Sequence, residues 1–136
     1  MINLNKVKLI HLPKINDKKS QMVFYSYNNV LPFKIKNSFL IKSKKYGINR
    51  GNHSHKKTSQ FIICIAGKCK INITNGKNKK SYLLNNLTKG VLVPPLIWCS
   101  QEYYTQNTIL LCHADRYFDE KDYIRDFNEY LKKINV

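Results

Sequence analysis

Acidic residues are scarce in this chain of 136 residues, which carries 24 Lys and Arg against 8 Asp and Glu and a formal net charge of +16. A surplus of this size attracts anions of many kinds. The lysines nevertheless stand singly or in pairs, such as Lys44 with Lys45, and form no dense basic run. No zinc-finger, RNP or helix-turn-helix pattern accompanies them, so we expect no nucleic acid as a partner.

Long apolar runs and paired cysteines are missing as well. No segment approaches the roughly 20 apolar residues of a membrane-spanning helix, and the N-terminal residues lack the apolar core of a signal peptide. The four cysteines include no Cys-x-x-Cys pair, and cysteines in apolar runs usually behave as small hydrophobic residues. We therefore expect a cytoplasmic protein with reduced thiols and no membrane partner.

Glycine and proline are also few, at five and four residues, whereas 43% of the chain is hydrophobic. This composition excludes a disordered chain, and the length predicts a single domain over residues 1–136. Short strand-like segments separated by turns such as Asn75-Gly76 are typical of a β-sandwich or barrel. Strands are predicted in eight segments: Val7–Leu12, Met22–Tyr25, Phe33–Ile41, Phe61–Ile65, Cys69–Thr74, Ser81–Leu84, Gly90–Val93 and Thr108–Cys112.

The C-terminal segment changes from strand-like to helical spacing. Its apolar residues recur every three or four positions, which predicts an amphipathic helix packed on the outside of the barrel. Asp119, with Asp122 three residues later, predicts the start of this helix because the pair resembles a weak capping box. The apolar positions are Tyr123, Ile124, Phe127, Leu131 and Ile134.

Two alternating histidines, His53 and His55, are the strongest chemical feature of the chain. Residues i and i+2 of a strand point to the same face, so both imidazoles project together. Two imidazoles inside a small barrel cost free energy unless they are solvated, hydrogen-bonded or functional. Histidines can exchange protons near neutral pH, so the pair predicts an acid–base site. His11 and His113 stand alone, and we interpret both as structural.

The spacing around this pair resembles the first cupin motif, running from Gly47 through the two histidines to Gln60 and Gly67. Metal-binding cupins usually carry Glu where Gln60 stands. A neutral amide is a poor ligand for a transition metal compared with a carboxylate. We therefore expect no metal and no cofactor.

The second cupin motif is similar to the segment 94–99, in which Cys99 takes the position of the usual ligand histidine. A zinc site built from two histidines and a Cys99 thiolate is the alternative to a metal-free site.

Three segments together resemble the sugar 3,4-ketoisomerases, which are cupins acting on dTDP-4-keto-6-deoxyglucose. Residues 50–57 followed by Gln60 are similar to the family signature Arg-Gly-x-His-x-His-Lys-x-x-x-Gln. Residues 89–98 resemble the stretch Lys-Gly-x-x-x-x-Pro-x-x-Trp, and residues 119–125 match the ending Asp-Glu-x-Asp-Tyr-Ile-Arg. The resemblance implies an all-β cupin-type antiparallel barrel, or jelly roll, with a C-terminal α-helix. It also implies a homodimer and a role in making 3-amino-3,6-dideoxyhexoses for lipopolysaccharide or capsule.

The resemblance implies that His53 and His55 move protons on a dTDP-linked keto-deoxysugar, converting the 4-ketone into a 3-ketone through an enediol. It does not decide which histidine is the base. A guanidinium can grip phosphate oxygens with two hydrogen bonds, so Arg50 is the first candidate for the diphosphate. The other candidate substrate contacts are Gln60 and Lys56 beside the site, and Trp98 and Tyr104 for the thymine base. For Trp98, core packing is the alternative role.

The chain departs from the family pattern near its N-terminus. Lys19 stands where the family carries Arg, and Ser26 stands where an acidic residue is expected. In the strand before the signature, which usually carries Arg and Tyr, the chain has Asn37 and Phe39. The alternative functions are a cupin epimerase on a dTDP-4-keto sugar, a metal-dependent cupin such as a thiol dioxygenase, and a non-catalytic cupin that binds a sugar or nucleotide.

Overall fold

The structure is a computed structural model that describes all residues 1–136. It contains twelve β-strands, two short 3₁₀ turns at Leu4–Lys6 and Glu120–Asp122, and one α-helix. None of the helical segments has the length and hydropathy of a membrane span. In chain order the strands are β1 Lys8–His11, β2 Lys14–Asn16, β3 Gln21–Val23, β4 Asn37–Lys42, β5 Ile48–His55, β6 Gln60–Ala66, β7 Cys69–Thr74, β8 Lys79–Leu84, β9 Lys89–Val93, β10 Trp98–Tyr103, β11 Ile109–Ala114 and β12 Tyr123–Ile124, followed by the helix α1 Phe127–Lys133.

Ten of the strands form two five-stranded antiparallel sheets, in the orders β1-β9-β6-β11-β4 and β12-β5-β10-β7-β8. Strands β2 and β3 pair only with each other. The main hydrophobic core lies between the two sheets, since it combines residues of β6, β9 and β11 with residues of β7 and β10. The predicted all-β antiparallel architecture of a cupin is confirmed.

The alternating strands place one face in this core and the other outside. In β7, Cys69, Ile71 and Ile73 are buried in the main core, while the residues between them are half-buried. In β10 the same period buries Cys99 and Tyr103 and turns their neighbours outward. This is the expected behaviour of a strand with period two.

Strand β6 is buried on both faces, as its continuous apolar run indicates. Its inner residues join the main core, whereas Phe61 and Ile63 form a second cluster on the outer face with Leu12 and Leu31. The segment around Leu31 covers this outer face. Phe33 packs against the same cluster, so the predicted strand 33–41 begins only at Asn37, after the chain has left this cluster.

The predicted start of the C-terminal helix is wrong by about two turns. Asp119 caps only the 3₁₀ turn Glu120–Asp122, and Tyr123–Ile124 then pairs with β5 as strand β12. The helix begins at Phe127, where the Asp126 side chain accepts a hydrogen bond from the backbone N–H of Glu129. Pairing with the edge of β5 satisfies the backbone of residues 123–124 in the sheet, which local helical spacing does not reveal.

Candidate functional site

Strand β5 carries the site, and a β-bulge decides which of its side chains face the barrel interior. Arg50 pairs with Gln101 and Gly51 with Ser100, but His53 pairs with Cys99, so the chain holds one extra residue at this point. Gly51 and Asn52 both have positive φ angles, of 85° and 53°. Such a bulge shifts the alternation of the strand. Arg50 and His53, which are three residues apart, consequently line the same cavity.

The two histidines are in direct contact. The Nε2 atoms of His53 and His55 lie 3.2 Å apart, and the two rings meet edge to face. The ring of Tyr123 packs against both, with its centroid 4.4 Å from that of His55 and 5.0 Å from that of His53. The prediction that the His-x-His pair projects together is confirmed by this geometry.

Asp122 holds His55 from the other side. Its Oδ2 atom lies 3.1 Å from Nδ1 of His55. The carboxylate also accepts hydrogen bonds from the hydroxyl and backbone N–H of Thr58 and from the backbone N–H of Lys57. These hydrogen bonds fix the position of the buried Asp122 carboxylate in contact with His55.

The contacts from Asp122 to His55 and from His55 to His53 select one tautomer for each imidazole ring. Burial alone raises the pKa of Asp122, but the hydrogen bonds from Thr58, Lys57 and His55 outweigh it and lower that pKa below its usual value. The ionised carboxylate only accepts hydrogen bonds, so Nδ1 of His55 carries a proton. In a neutral His55 the Nε2 atom is then an acceptor, and Nε2 of His53 donates to it. The Nδ1 atom of His53 is left with a free lone pair.

Burial keeps both imidazoles neutral. Burial, followed by repulsion from the neighbouring His55, lowers the pKa of His53 to about 4. Burial also lowers the pKa of His55, although Asp122 opposes this shift. The Nδ1 atom of His53 is buried without any hydrogen-bond partner. A buried lone pair with no partner is a proton acceptor that nothing else in the fold satisfies.

The cavity beside His53 has a volume of about 180 Å³. Its wall brings together several residues with donor groups, among them the predicted site residues Arg50 and Gln60. The Arg50 side chain lines the cavity and forms no ion pair and no side-chain hydrogen bond, so its guanidinium is available to a ligand. The nine lining residues are Phe39, Ile41, Arg50, Gly51, His53, Gln60, Gln101, Tyr123 and Arg125.

Three other predicted substrate contacts lie outside this cavity. Lys56 is exposed and donates to the backbone oxygen of Lys121. Trp98 is on the outer face of its sheet, packed against Phe127 and Tyr130. Tyr104 is exposed and donates to Glu102. The assignment of these three residues as substrate contacts stays a prediction, because none of them lines the cavity beside His53.

The two lone histidines lie away from the pair in β5, and only His113 has contacts that support a structural role. His113 is buried on the outer face of β11, where its two ring nitrogens lie 2.8 Å from the hydroxyls of Tyr25 and Ser38. His11 is exposed at the end of β1. Neither residue lines the cavity beside His53.

Four residues of the site were missed as site residues by the sequence analysis: Gln101, Asp122, Tyr123 and Arg125. Three of them belong to the segment 119–125, which was used to support the resemblance and the helix start. The available signal was the match of residues 119–125 to the family ending, which supported the resemblance but gave no role to its individual residues. Gln101 offers no signal, because it reaches the cavity through the pairing of β10 with β5.

The donor set favours proton transfer over metal binding. Both histidines already engage each other or Asp122. Cys99 is part of the main core, and burial raises the pKa of its thiol to about 12. A thiol with such a pKa is protonated near neutral pH and is a weak metal ligand. The residues present therefore do not fit the zinc site that was the alternative to a metal-free cavity.

Comparison with known proteins places the chain among sugar isomerases. A family model described as "FdtA: WxcM-like, C-terminal" matches residues 5–135. The TDP-4-oxo-6-deoxy-α-D-glucose-3,4-oxoisomerase of Aneurinibacillus thermoaerophilus is 32% identical over 132 residues, covering 95% of both chains. The crystal structure of QdtA, a sugar 3,4-ketoisomerase from Thermoanaerobacterium thermosaccharolyticum in complex with TDP, is 34% identical. It superposes with a TM-score of 0.92 and covers 98% of this chain and 97% of QdtA.

Two further structures bear on the alternatives. A histidine-to-asparagine variant of QdtA was crystallised with TDP-4-keto-6-deoxyglucose, and this variant is 33% identical to the chain with a TM-score of 0.92 and coverage of 98% and 96%. The dTDP-4-dehydrorhamnose 3,5-epimerase of Bacillus anthracis is only 18% identical, with a TM-score of 0.76 and coverage of 90% and 79%, and shares the fold alone. The ketoisomerases are the nearer group, and the chain belongs to the FdtA family.

Proposed function

We propose that this protein is a TDP-sugar 3,4-ketoisomerase that converts TDP-4-keto-6-deoxyglucose into a TDP-3-keto-6-deoxyhexose. The observation that carries this proposal is the line of contacts from Asp122 through His55 to His53, whose side chain lines the cavity. The printed activities of the Aneurinibacillus and Thermoanaerobacterium relatives support the same reaction.

The reaction moves two protons and leaves the oxidation level of the sugar unchanged. The C3–H and O3–H bonds break, the C4–H and O4–H bonds form, and an enediol lies between the two ketones. Each step is a proton transfer to or from C3, C4 or one of the oxygens that they carry. General acid–base groups are sufficient for such steps.

His53 is the group that we assign to the abstraction of the C3 proton. Its Nδ1 atom has a free lone pair, and its Nε2–H bond is held by His55. When Nδ1 takes a proton, the positive charge on His53 is shared along the contact with His55 towards the carboxylate of Asp122. The protonated His53 then returns its proton to the enediol at C4, which completes the movement of hydrogen from C3 to C4.

Asp122 acts in this scheme as a positioning residue. It touches His55 rather than the cavity beside His53, and its hydrogen bonds fix the tautomer of both rings. Such a partner controls whether an imidazole can act as a base, as it does in other histidine–carboxylate pairs. Arg50 and Gln60 are the proposed contacts of the diphosphate and of the sugar oxygens, because both line the cavity.

A second copy of the chain is part of the proposal. Strands β2 and β3 form a hairpin that pairs with no other strand, with Ile15 57% and Met22 52% exposed. A two-stranded hairpin by itself is only marginally stable in water. We propose that this hairpin is covered in a homodimer. The cytoplasmic location and the role in lipopolysaccharide or capsule biosynthesis stay predictions.

The experiment is incubation with TDP-4-keto-6-deoxyglucose in deuterated water, with the product identified by NMR. We expect a 3-keto sugar that carries deuterium at C4, together with deuterium at C3 of the remaining 4-keto substrate. His53→Asn should lose turnover by about 10²–10⁴-fold, the usual contribution of an acid–base group, while still binding TDP. His11→Asn, at an exposed histidine outside the cavity, is the matched control and should retain activity. Exchange at C5 with a 4-keto product would instead identify an epimerase, and no exchange would identify a binding protein.

A further inference from the structure

The inward face of β10 carries an amide between two core residues. Cys99 and Tyr103 belong to the main core, whereas Gln101 between them is only 5% exposed and lines the cavity beside His53. Burying an amide costs free energy unless its polar atoms find partners. An apolar side chain would fill this position without that cost, so packing alone does not explain Gln101.

Strand pairing and the β-bulge place the Gln101 amide on the wall that His53 also lines. Gln101 pairs with Arg50 of β5, and Cys99, the preceding inward residue of β10, pairs with His53. A Cβ atom on Gly51 would lie 3.6 Å from Cδ of Gln101. The carboxamide therefore packs against the bulge itself, where Gly51 leaves room for it.

Tyr103 fixes the orientation of this amide. Its hydroxyl is buried in the core and donates to Oε1 of Gln101 at 3.3 Å. Burial raises the pKa of Tyr103, so the hydroxyl keeps its proton. A buried hydroxyl needs an acceptor, which the amide oxygen supplies and the NH₂ group does not. The carboxamide is consequently held with its oxygen towards Tyr103 and its NH₂ group turned away.

The NH₂ group of Gln101 borders the open volume of the cavity. It forms no hydrogen bond within the chain, yet the buried side-chain atoms without a partner are Nδ1 of His53 and Oγ of Ser54. The amide nitrogen is therefore not enclosed by protein, and Gln101 lines the cavity. Its two N–H donors are oriented and available to a ligand.

The ketoisomerase reaction places negative charge on two neighbouring oxygens in turn. When His53 takes the C3 proton, the C3–H electron pair forms the C3=C4 bond and the carbonyl π pair moves onto O4. Transfer of the O3 proton to O4 leaves the charge on O3. The O3 pair then forms the C3=O3 bond while C4 takes the proton from His53. A fixed donor that faces both oxygens lowers the barrier to both steps.

We propose that the NH₂ group of Gln101 donates hydrogen bonds to O3 and O4 and stabilises the enediolate, with Tyr103 as the positioning residue that orients it. The inference rests on the proposed function for the identity of the ligand as a keto sugar. The two N–H bonds of one amide suit two oxygens on adjacent carbon atoms. The otherwise costly amide inside the barrel thereby gains a function.

Gln101→Met tests the donor, because it keeps a side chain of similar size and removes both N–H groups. Loss of one oxyanion donor commonly lowers kcat by about 10²–10³-fold, and we expect a loss in this range. TDP affinity, measured by calorimetry, should stay close to wild type, since TDP lacks the keto sugar. Gln106→Met is the matched control at an exposed glutamine outside the cavity and should retain kcat.

Tyr103→Phe tests the positioning role, because it keeps the ring and removes only the hydroxyl. We expect kcat to fall several-fold, since the amide is then free to turn. The double variant with Gln101→Met should have the kcat of Gln101→Met alone, because Tyr103 acts through the amide. Tyr82→Phe, at a tyrosine packed against the same core, is the control and should keep its kcat.

Urea unfolding separates this role from a structural one. Apolar groups replace both members of a buried polar pair in the double variant, so it should be at least as stable as the wild type. A protein that is as stable and loses turnover supports the proposal. Parallel losses of stability, TDP affinity and kcat would show that the pair only maintains the fold, and additive losses of kcat would contradict the role of Tyr103.

Deuterium exchange at C3 of the substrate distinguishes this inference from the proposed function. If the wild type isomerises the sugar and Gln101→Met keeps both kcat and exchange, the isomerisation stands and the enediolate donor is wrong. If the wild type exchanges C3 without forming a 3-keto sugar and Gln101→Met loses that exchange, the donor stands and the isomerisation is wrong. A wild type with neither exchange nor product contradicts both.

Discussion

The Nδ1 atom of His55 lies 3.1 Å from the Oδ2 atom of Asp122, and this one contact sets the protonation of His53 as well. Because the carboxylate accepts the Nδ1 proton of His55, the facing Nε2 atoms of the two histidines share the proton of His53. Because the proton of His53 lies on Nε2, its Nδ1 atom carries none and keeps its lone pair. A residue 67 positions away from His55 thereby decides which atom can act as the base.

Replacing Asp122 with Asn should disrupt this arrangement. The Oδ1 atom of Asp122 accepts from the backbone N–H of Lys57, whereas Oδ2 accepts from Thr58 and faces Nδ1 of His55. An amide supplies a single acceptor oxygen for these two places, so one set of donors faces an NH₂ group, and the negative charge that fixes the tautomer of His55 is lost. We expect turnover to fall by about 10²–10⁴-fold, with TDP affinity retained.

The matched control for this variant is Asp126→Asn. Asp126 caps α1, where Asn is nearly as effective as Asp, so its activity and stability should remain close to wild type. Steady-state kinetics and TDP calorimetry on both variants make the comparison. Equal activity of Asp122→Asn and wild type would mean that the carboxylate has no part in setting the tautomers.

The bulge at Gly51 should be essential for the geometry of the site. Gly51 has a φ angle of 85°, and a Cβ atom there would lie 3.1 Å from the backbone oxygen of Cys99. Gly47 has a φ angle of 71°, but a Cβ atom there meets nothing within 4 Å. Both Gly→Ala changes cost about 1–2 kcal/mol through the left-handed backbone. Gly51→Ala should cost more.

The measurement is thermal or urea unfolding of both alanine variants, together with turnover. We expect Gly51→Ala alone to lose activity as well, because relaxing the bulge turns Arg50 away from His53. Equal free energies of unfolding and equal activities in the two variants would contradict the role assigned to the bulge.

The stability of the protein should depend on pH through His53. Its native pKa is about 4, whereas a histidine in an unfolded chain has a pKa near 6.5. Between these values the unfolded chain binds a proton that the native state does not, so stability is full above pH 6.5 and falls as the pH drops towards 4. The loss should reach roughly 2 kcal/mol, allowing for solvent screening of a half-buried group.

Urea unfolding at pH 7.5, 6 and 5 tests this expectation. His53→Asn should lose less stability over this range than the wild type, while the contribution of His55 remains. Parallel pH profiles for the two proteins would show that the pKa of His53 is not lowered in the native state.

The exposed hairpin should be required for self-association. Ile15→Lys combined with Met22→Lys places two charges on the hairpin that we propose to be covered by a second copy. We expect sedimentation analysis to show a dimer for the wild type and a monomer for the double variant. Leu83→Lys, at a comparably exposed apolar residue of β8, is the control and should remain dimeric. A monomeric wild type would contradict the proposal directly.

The sequence by itself determined the features that depend on local periodicity. Alternation predicted β7 and a continuous apolar run predicted β6, whereas β10 was not predicted. The i, i+2 rule placed His53 and His55 on one face, as the structure confirms. The same rule puts Arg50, three residues from His53, on the opposite face. Only the pairing of β5 with β10 reveals the bulge that returns Arg50 to the cavity.

The remaining features depend on contacts between distant segments, which local patterns do not contain. Asp122 reaches His55 because residues 123–124 pair with β5 instead of continuing a helix. Trp98 turns outward because Cys99 takes the inner position in β10. In each case the register of a strand against its neighbour decides which side chain enters the site, and register is a property of the folded sheet rather than of any single segment.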